Sequence, residues 1–335
     1  MFVAGITHGS FAVPMRYTRK WAWENTWFVW SLVGLLIIPW LLAFATVPHL
    51  TAVYVQSGTR ALVIAATFGA LWGVAALLFG RSVELVGMSL TFAIVNGLSS
   101  AIGSWVPMLV LHPGKIVSRG GLLVSGGVLG VVAGVALCSW AGHLRSKATS
   151  HDDQSKSASA RGRAFWTALV VTILSGLLAP CFNLGIAFGQ RVSSTALEMG
   201  SSPAASTNAV LPVILTAGFL CNIAYCSYCL IQKNTLRLFA IPESKRYFFL
   251  GSLMGFLWFV SFAIYGSATS YFGVYGTIVG WPILMAIITI ASVLWDLIFG
   301  VWKLHSLRFM ALGTCLLILA VALISYGTSV LQIER

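Results

Sequence analysis

Apolar residues in this chain fall in long unbroken runs, neither alternating nor confined to a narrow helical stripe. Residues 26–47, 61–80, 85–111, 121–141, 164–190, 208–231, 247–267, 273–302 and 309–329 form such runs. Each is long enough to cross a hydrocarbon core, which takes about 20 residues of helix. Lipid offers the backbone no hydrogen-bond partner, so the runs predict helices; a membrane barrel would show alternating segments of about 10 residues instead. Residues 1–15 (MFVAGITHGSFAVPM) are apolar but short. No basic stretch precedes their apolar run, so they read as a first helix, or half of one, and not as a signal peptide. The pattern predicts an all-α polytopic membrane protein of ten spans.

Composition agrees. The chain is 58% hydrophobic and 8% charged, whereas a soluble domain carries about 25% charged residues. The net charge of +12 does not point to nucleic acid, because of where it lies. With ten spans, one set of alternate loops holds fifteen of the twenty Lys and Arg residues. That bias predicts a cytoplasmic location for the basic loops and an outward location for both termini. Residues 142–163 form the one sizeable polar linker, dividing the chain into a first segment (1–141) and a second (164–335).

The two segments repeat each other. ALWGVAALLFGRSVELVG at 70–87 returns as FLWFVSFAIYGSATSYFG at 256–273, and Trp72, Gly80 and Gly87 fall on Trp258, Gly266 and Gly273 at a constant offset of 186. Gly127, Val135, Ala136 and Leu137 fall on Gly313, Val321, Ala322 and Leu323 in the same register. Five spans per half is an odd number, so the second half must enter the membrane in the opposite sense. Two inverted five-helix repeats around a midplane site are typical of secondary transporters. The first helix is the exception: far more apolar length precedes NLGIAFG (183–189) than precedes HGSFAVP (8–14), leaving either a misplaced start or a truly short helix.

Enzymatic chemistry has no foothold here. No HExxH, GxSxG, Walker loop or paired acidic cluster lies in a span, which predicts neither an enzyme nor a nucleotide-driven pump, with no cofactor and no metal. Cys226 and Cys229 have CxxC spacing, with Cys221 nearby, inside an apolar helix, where small packing residues are the simpler reading.

Ionisable groups inside spans are functional candidates by default. Asp296 lies about two helical turns before Lys303 and is the first candidate for proton coupling, with interfacial pairing the alternative. Glu24, in KWAWENTW, suits a helix N-terminus as well as a proton site. His8 titrates near neutral pH, with packing its simpler role. Glu84, three residues after Arg81, reads as an interfacial ion pair. For ligand contacts the candidates are Trp72, Trp105, Trp258, Tyr265 and Trp281, all inside spans, with the amides Asn96, Asn183, Gln190 and Asn222. Apolar walls with a few amides suit a neutral, hydroxyl-rich ligand. Trp27 and Trp302 read as belt residues at span ends, and Gly126, Gly130 and Gly134 as a face for close helix approach.

These residues resemble the L-rhamnose–proton symporter family within the drug/metabolite transporter superfamily. The resemblance rests on GSFAVPMRY (9–17), KWAWENTW (20–27), LWG (71–73), GMSL (87–90), NLGIAFG (183–189), CNIAYCSYCL (221–230) and GW (280–281). It implies a ten-helix fold, the inner membrane, and uptake of L-rhamnose or a related deoxyhexose driven by protons. It also marks departures: Asp296 stands where Gly is usual, Val301 where Glu is usual, and His8 where Asn is common. Two other functions stay open on the sequence: an exporter or exchanger of amino acids or amphipathic metabolites, and a non-transporting scaffold or receptor. The expected partners are a small sugar, protons and the bilayer.

Overall fold

The computed structural model describes residues 1–86, 88–147, 158–299 and 304–333; a number of side chains within helices, among them those of Glu84 and Asp296, lie outside this description. Gly87, most of the polar linker, Val301, Trp302 and Lys303 also lie outside it. The described residues are mostly helical, with no strand among them.

Nine helices among the described residues are long and apolar enough to cross a membrane: Trp23–Thr46, Thr59–Ser82, Ile94–Leu111, Arg119–Cys138, Trp166–Glu198, Pro203–Gln232, Ser244–Tyr271, Gly273–Trp295 and Arg308–Ile333. Each coincides with one of the apolar runs, because a run without polar breaks gives the backbone only its own carbonyls to bond. The first segment forms a nine-residue helix, Phe2–Ser10, followed by a 3₁₀ turn, Val13–Tyr17, that begins ahead of Pro14.

Several spans are locally irregular, each for a visible cause. In Trp23–Thr46 the helix widens into a π turn at Leu32–Ile37, just ahead of Pro39, whose missing N–H breaks the regular ladder. Gly34, inside that turn, meets Gly255 backbone to backbone; a Cβ there would come within 2.9 Å of the Gly255 carbonyl oxygen. Trp166–Glu198 breaks at Ala179–Pro180 into the shorter helices Cys181–Phe188 and Gln190–Glu198. Gly58, at φ 81°, ends the helix Leu50–Ser57 and lets the next one start at once.

The chain divides into two compact units, one made of Met1–Val74 with Cys181–Gly276, the other of Ala75–Pro180 with Thr277–Arg335. The first unit therefore draws one segment from before the polar linker and one from after it, whereas the second includes the linker within Ala75–Pro180. The second unit is held by a long helix pair, Arg119–Lys147 against Leu304–Ile333. A Cβ at Gly127 would fall 2.4 Å from Ile324 and 3.1 Å from the Ala320 carbonyl; one at Gly313 would fall 2.6 Å from Cys138 and 3.0 Å from the Gly134 carbonyl. Small residues let the backbones approach, which is how helices associate where lipid removes the hydrophobic driving force. Of the expected ladder, Gly130 and Gly134 face this partner closely and Gly126 only loosely, its Cβ position 3.7 Å from Leu323.

The candidate site is an aromatic cluster in the first unit

Helix Ser244–Tyr271 supplies the centre of the cluster. Trp258, Ser261, Phe262 and Tyr265 follow the three–four spacing that aligns side chains on one helix face. Trp258 is buried and stacks on Trp72 of helix Thr59–Val86, with ring centroids 5.3 Å apart and planes at 29°. Trp72 lies over Gly218, where a Cβ would come within 2.9 Å of the indole. Phe182, just past the break at Ala179–Pro180, packs 4.2 Å from Phe262 and 5.6 Å from Trp72. From the span Trp23–Thr46, Trp30 meets Trp258 edge-on at 5.4 Å and Trp27 at 4.3 Å.

Polar groups enter this cluster in two places one helical turn apart. Tyr265 Oη donates to Asn183 Oδ1, and both residues are fully buried. His8 Nδ1 lies 3.1 Å from Ser261 Oγ, and the His8 ring sits 5.1 Å from Phe262 and 6.1 Å from Trp258. His8 opens HGSFAVP and Asn183 opens NLGIAFG, so the same helix receives a polar residue from each of these two segments.

Trp72, Trp258, Tyr265 and Asn183 thus come together, while the other candidate ligand residues are placed differently. Asn222 is buried with its amide engaged: Oδ1 accepts from Trp27 Nε1 at 3.0 Å, and Nδ2 donates to the carbonyls of Gly218 at 2.9 Å and Gly73 at 3.4 Å. Gln190 is exposed at the start of its helix. Asn96, Trp105 and Trp281 belong to the second unit. There Trp281 Nε1 donates to the Ser99 carbonyl at 3.0 Å, in space left by Gly103, and Trp105 Nε1 donates to Ser125 at 3.2 Å. Trp27 corrects the sequence reading. It is not a belt residue but 7% exposed, packed between Trp23 and Trp30, because its N–H is drawn inward by Asn222.

Of the proton-coupling candidates, Glu24 is held at the end of its helix by Lys233 Nζ at 3.2 Å and Thr235 Oγ1 at 2.9 Å, with its carboxylate buried. The same end is tied by Trp21 Nε1 donating to the Leu238 carbonyl, by Asn25 donating to the Thr235 carbonyl, and by a Lys20–Glu243 ion pair. The Glu243 carboxylate raises the pKa of Lys20, and Lys20 lowers that of Glu243. Asp296 lies near the end of helix Gly276–Ile298, with its side chain outside the described residues. The thiols of Cys226 and Cys229 are buried and free, Cys221 partly so.

Sequence reasoning missed Trp30, Phe182, Ser261 and Phe262. In an apolar run nothing separates an aromatic residue that packs on a site from one that faces lipid. The cluster offers flat aromatic faces together with hydroxyl, amide and imidazole groups, a set suited to a neutral, hydroxylated ligand.

Comparison with known proteins bears on this chemistry. The family described as L-rhamnose-proton symport protein (RhaT) matches residues 1–330. A protein of Mannheimia succiniciproducens named L-rhamnose-proton symporter is 22% identical, over 97% of this chain and 96% of its own. Proteins of the same name from Pectobacterium atrosepticum (23%, covering 98% and 96%) and Cronobacter sakazakii (24%, covering 95% and 93%) are similar over comparable lengths.

Proposed function

Because the chain belongs to the L-rhamnose-proton symport protein family, we propose that it is a secondary transporter taking up L-rhamnose or a related deoxyhexose with protons. The observation that carries this reading is the family match along residues 1–330, in a chain whose buried aromatic cluster has the chemistry a sugar needs. Trp72 and Trp258 form the platform for an apolar sugar face, and Tyr265 with Asn183 forms the polar edge beside it. Asn96, Trp105, Trp281, Gln190 and Asn222 are secondary candidates.

The architecture that goes with this function is ten spans in two inverted repeats, rocking to expose the site to each side in turn. Reciprocal contacts support it. Gly127 faces Ala320 and Ile324, while its sequence counterpart Gly313 faces Gly134 and Cys138, which lie 186 residues before that same pair. The Lys-rich end, where Glu24 meets Lys233, is cytoplasmic, and the membrane is the inner one. Asp296 is the proton carrier, on the strength of its place as a carboxyl in an apolar helix. Glu24 acts as a latch at the cytoplasmic end, since Lys233 and Thr235 already hold it.

The test is reconstitution in liposomes, with charge movement recorded on adding L-rhamnose and a panel of other sugars at two pH values. A pH-sensitive inward current for L-rhamnose is expected. Silence across the panel from folded protein would overturn the sugar reading and favour export or exchange.

A further inference from the structure

We propose that Trp30 and His8 together read one hydroxyl group of the sugar, making them specificity-determining residues; this rests on the sugar-transport reading above. Trp30 is 1% exposed, and its Nε1 is buried without a hydrogen-bond partner. An indole N–H can only donate, and a buried donor left unpaired is costly. Three other indoles of the same unit are paired: Trp21 donates to the Leu238 carbonyl, Trp27 to Asn222 and Trp40 to Thr216. Trp30 cannot relieve the deficit as a serine would, by turning its hydroxyl to its own helix, because its ring is fixed between Trp27 and Trp258.

The complementary acceptor is His8. Ser261 Oγ has one proton and gives it to the Trp258 carbonyl oxygen at 2.6 Å. At 3.1 Å from His8 Nδ1 it therefore accepts, which assigns the proton of the neutral imidazole to Nδ1 and leaves Nε2 with a bare lone pair. His8 and Trp30 share two ring neighbours. Phe11 lies 5.3 Å from His8 and 6.1 Å from Trp30, and Trp258 lies 6.1 Å and 5.4 Å from them.

An orphan donor and a bare acceptor around the same two rings are the complement of a hydroxyl, which accepts and donates at once. Between apolar walls both bonds gain strength from the low local dielectric. In this conformation the Trp30 N–H is closed to solvent, so the hydroxyl reaches it when the rings part. The π turn Leu32–Ile37, which begins two residues after Trp30, is the irregular element beside it. An Asn side chain also presents an acceptor, and this predicts which substitution at position 8 is tolerated.

The experiment measures equilibrium binding of L-rhamnose, and of analogues each lacking one hydroxyl, to the full-length protein in liposomes. Trp30→Phe keeps an aromatic ring but removes the N–H together with the pyrrole half of the indole; His8→Phe removes the acceptor, and His8→Asn restores one. We expect each Phe variant to bind L-rhamnose about tenfold more weakly, a loss of about 1.4 kcal/mol. One and the same deoxy analogue should show no further loss in either variant, and His8→Asn should recover most of the affinity lost in His8→Phe. Variants that bind every analogue as the parent does, or that lose affinity evenly across the panel, overturn the pair while the sugar reading stands. A parent protein that binds no sugar ends that reading, and the pair with it.

Discussion

Trp72 and Trp258 hold the same position in the two sequence repeats, 186 residues apart, and their rings stack on one another 5.3 Å apart. Two residues related by a rotation meet face to face only beside the rotation axis, as at an isologous interface. Under the proposed inversion this pair lies where the repeats cross, at the place a transporter of this class keeps its substrate.

The platform is tested by Trp258→Phe, which keeps much of the burial and removes half of the indole stack. The KM for L-rhamnose uptake should rise about tenfold, corresponding to about 1.4 kcal/mol, beside the loss of thermal stability that a cavity in the cluster brings. Kinetics equal to those of the parent protein would remove the stacked pair from the substrate site.

Tyr265→Phe deletes the hydrogen bond to Asn183 in a fully buried setting. A loss of about 1 kcal/mol is expected, read as a Tm lower by about 2–4 °C in detergent. The cost to uptake should exceed the cost to stability, because this edge is proposed to face the sugar. An unchanged Tm would mean that the bond contributes nothing to the fold.

Asp296→Asn and Glu24→Gln separate coupling from latching. Without a titrating group at 296, pH-driven accumulation should disappear while exchange of labelled for unlabelled sugar continues. If accumulation in Asp296→Asn keeps its pH dependence, the carrier lies elsewhere. Glu24→Gln should leave the pH profile of uptake in place. It should lower stability by about 1–3 kcal/mol, less than for a fully buried pair, since Lys233 is half exposed.

The Lys20–Glu243 pair gives stability its own pH dependence. Glu243 has a lowered pKa, so its contribution is present above the ordinary carboxylate range, near pH 4.3, and is lost as pH falls through the depressed value. Lys20 has a raised pKa, so its contribution is present below about pH 10.4 and is lost as pH rises through the elevated value. Both groups are exposed and screened by salt, so the effect is small. Melting curves of Lys20→Met against the parent should converge at both pH extremes and differ most between them, at low salt. A difference independent of pH would assign the effect to packing.

Gly313→Val should be the most damaging of these changes to assembly. Its Cβ would stand 2.9 Å from the Cys138 amide nitrogen and 3.0 Å from the Gly134 carbonyl, backbone atoms that cannot turn aside. Helices Arg119–Lys147 and Leu304–Ile333 must then separate, and the yield of folded protein should fall severalfold. Normal yield and Tm would show that the pair tolerates a wider spacing.

The amino-acid sequence by itself determined the spans, because a run of about 20 apolar residues in lipid has one way to satisfy its backbone. It placed nine of them closely, and it marked Trp72 with Trp258 as counterparts through the constant offset of 186. Tertiary structure alone decided which apolar residues do more than fill space. Trp27 and Trp30 stand three residues apart on one helix, yet Trp27 is paired by Asn222 from a segment 195 residues away, and Trp30 is left with an open donor. The same distant packing set Asn222 aside, joined Asn183 to Tyr265, and brought His8 to Ser261. Hydropathy is a property of each segment taken singly and survives in the sequence. A hydrogen bond between two helices depends on their rotation and spacing, which small residues such as Gly34, Gly218 and Gly255 settle only when the helices meet.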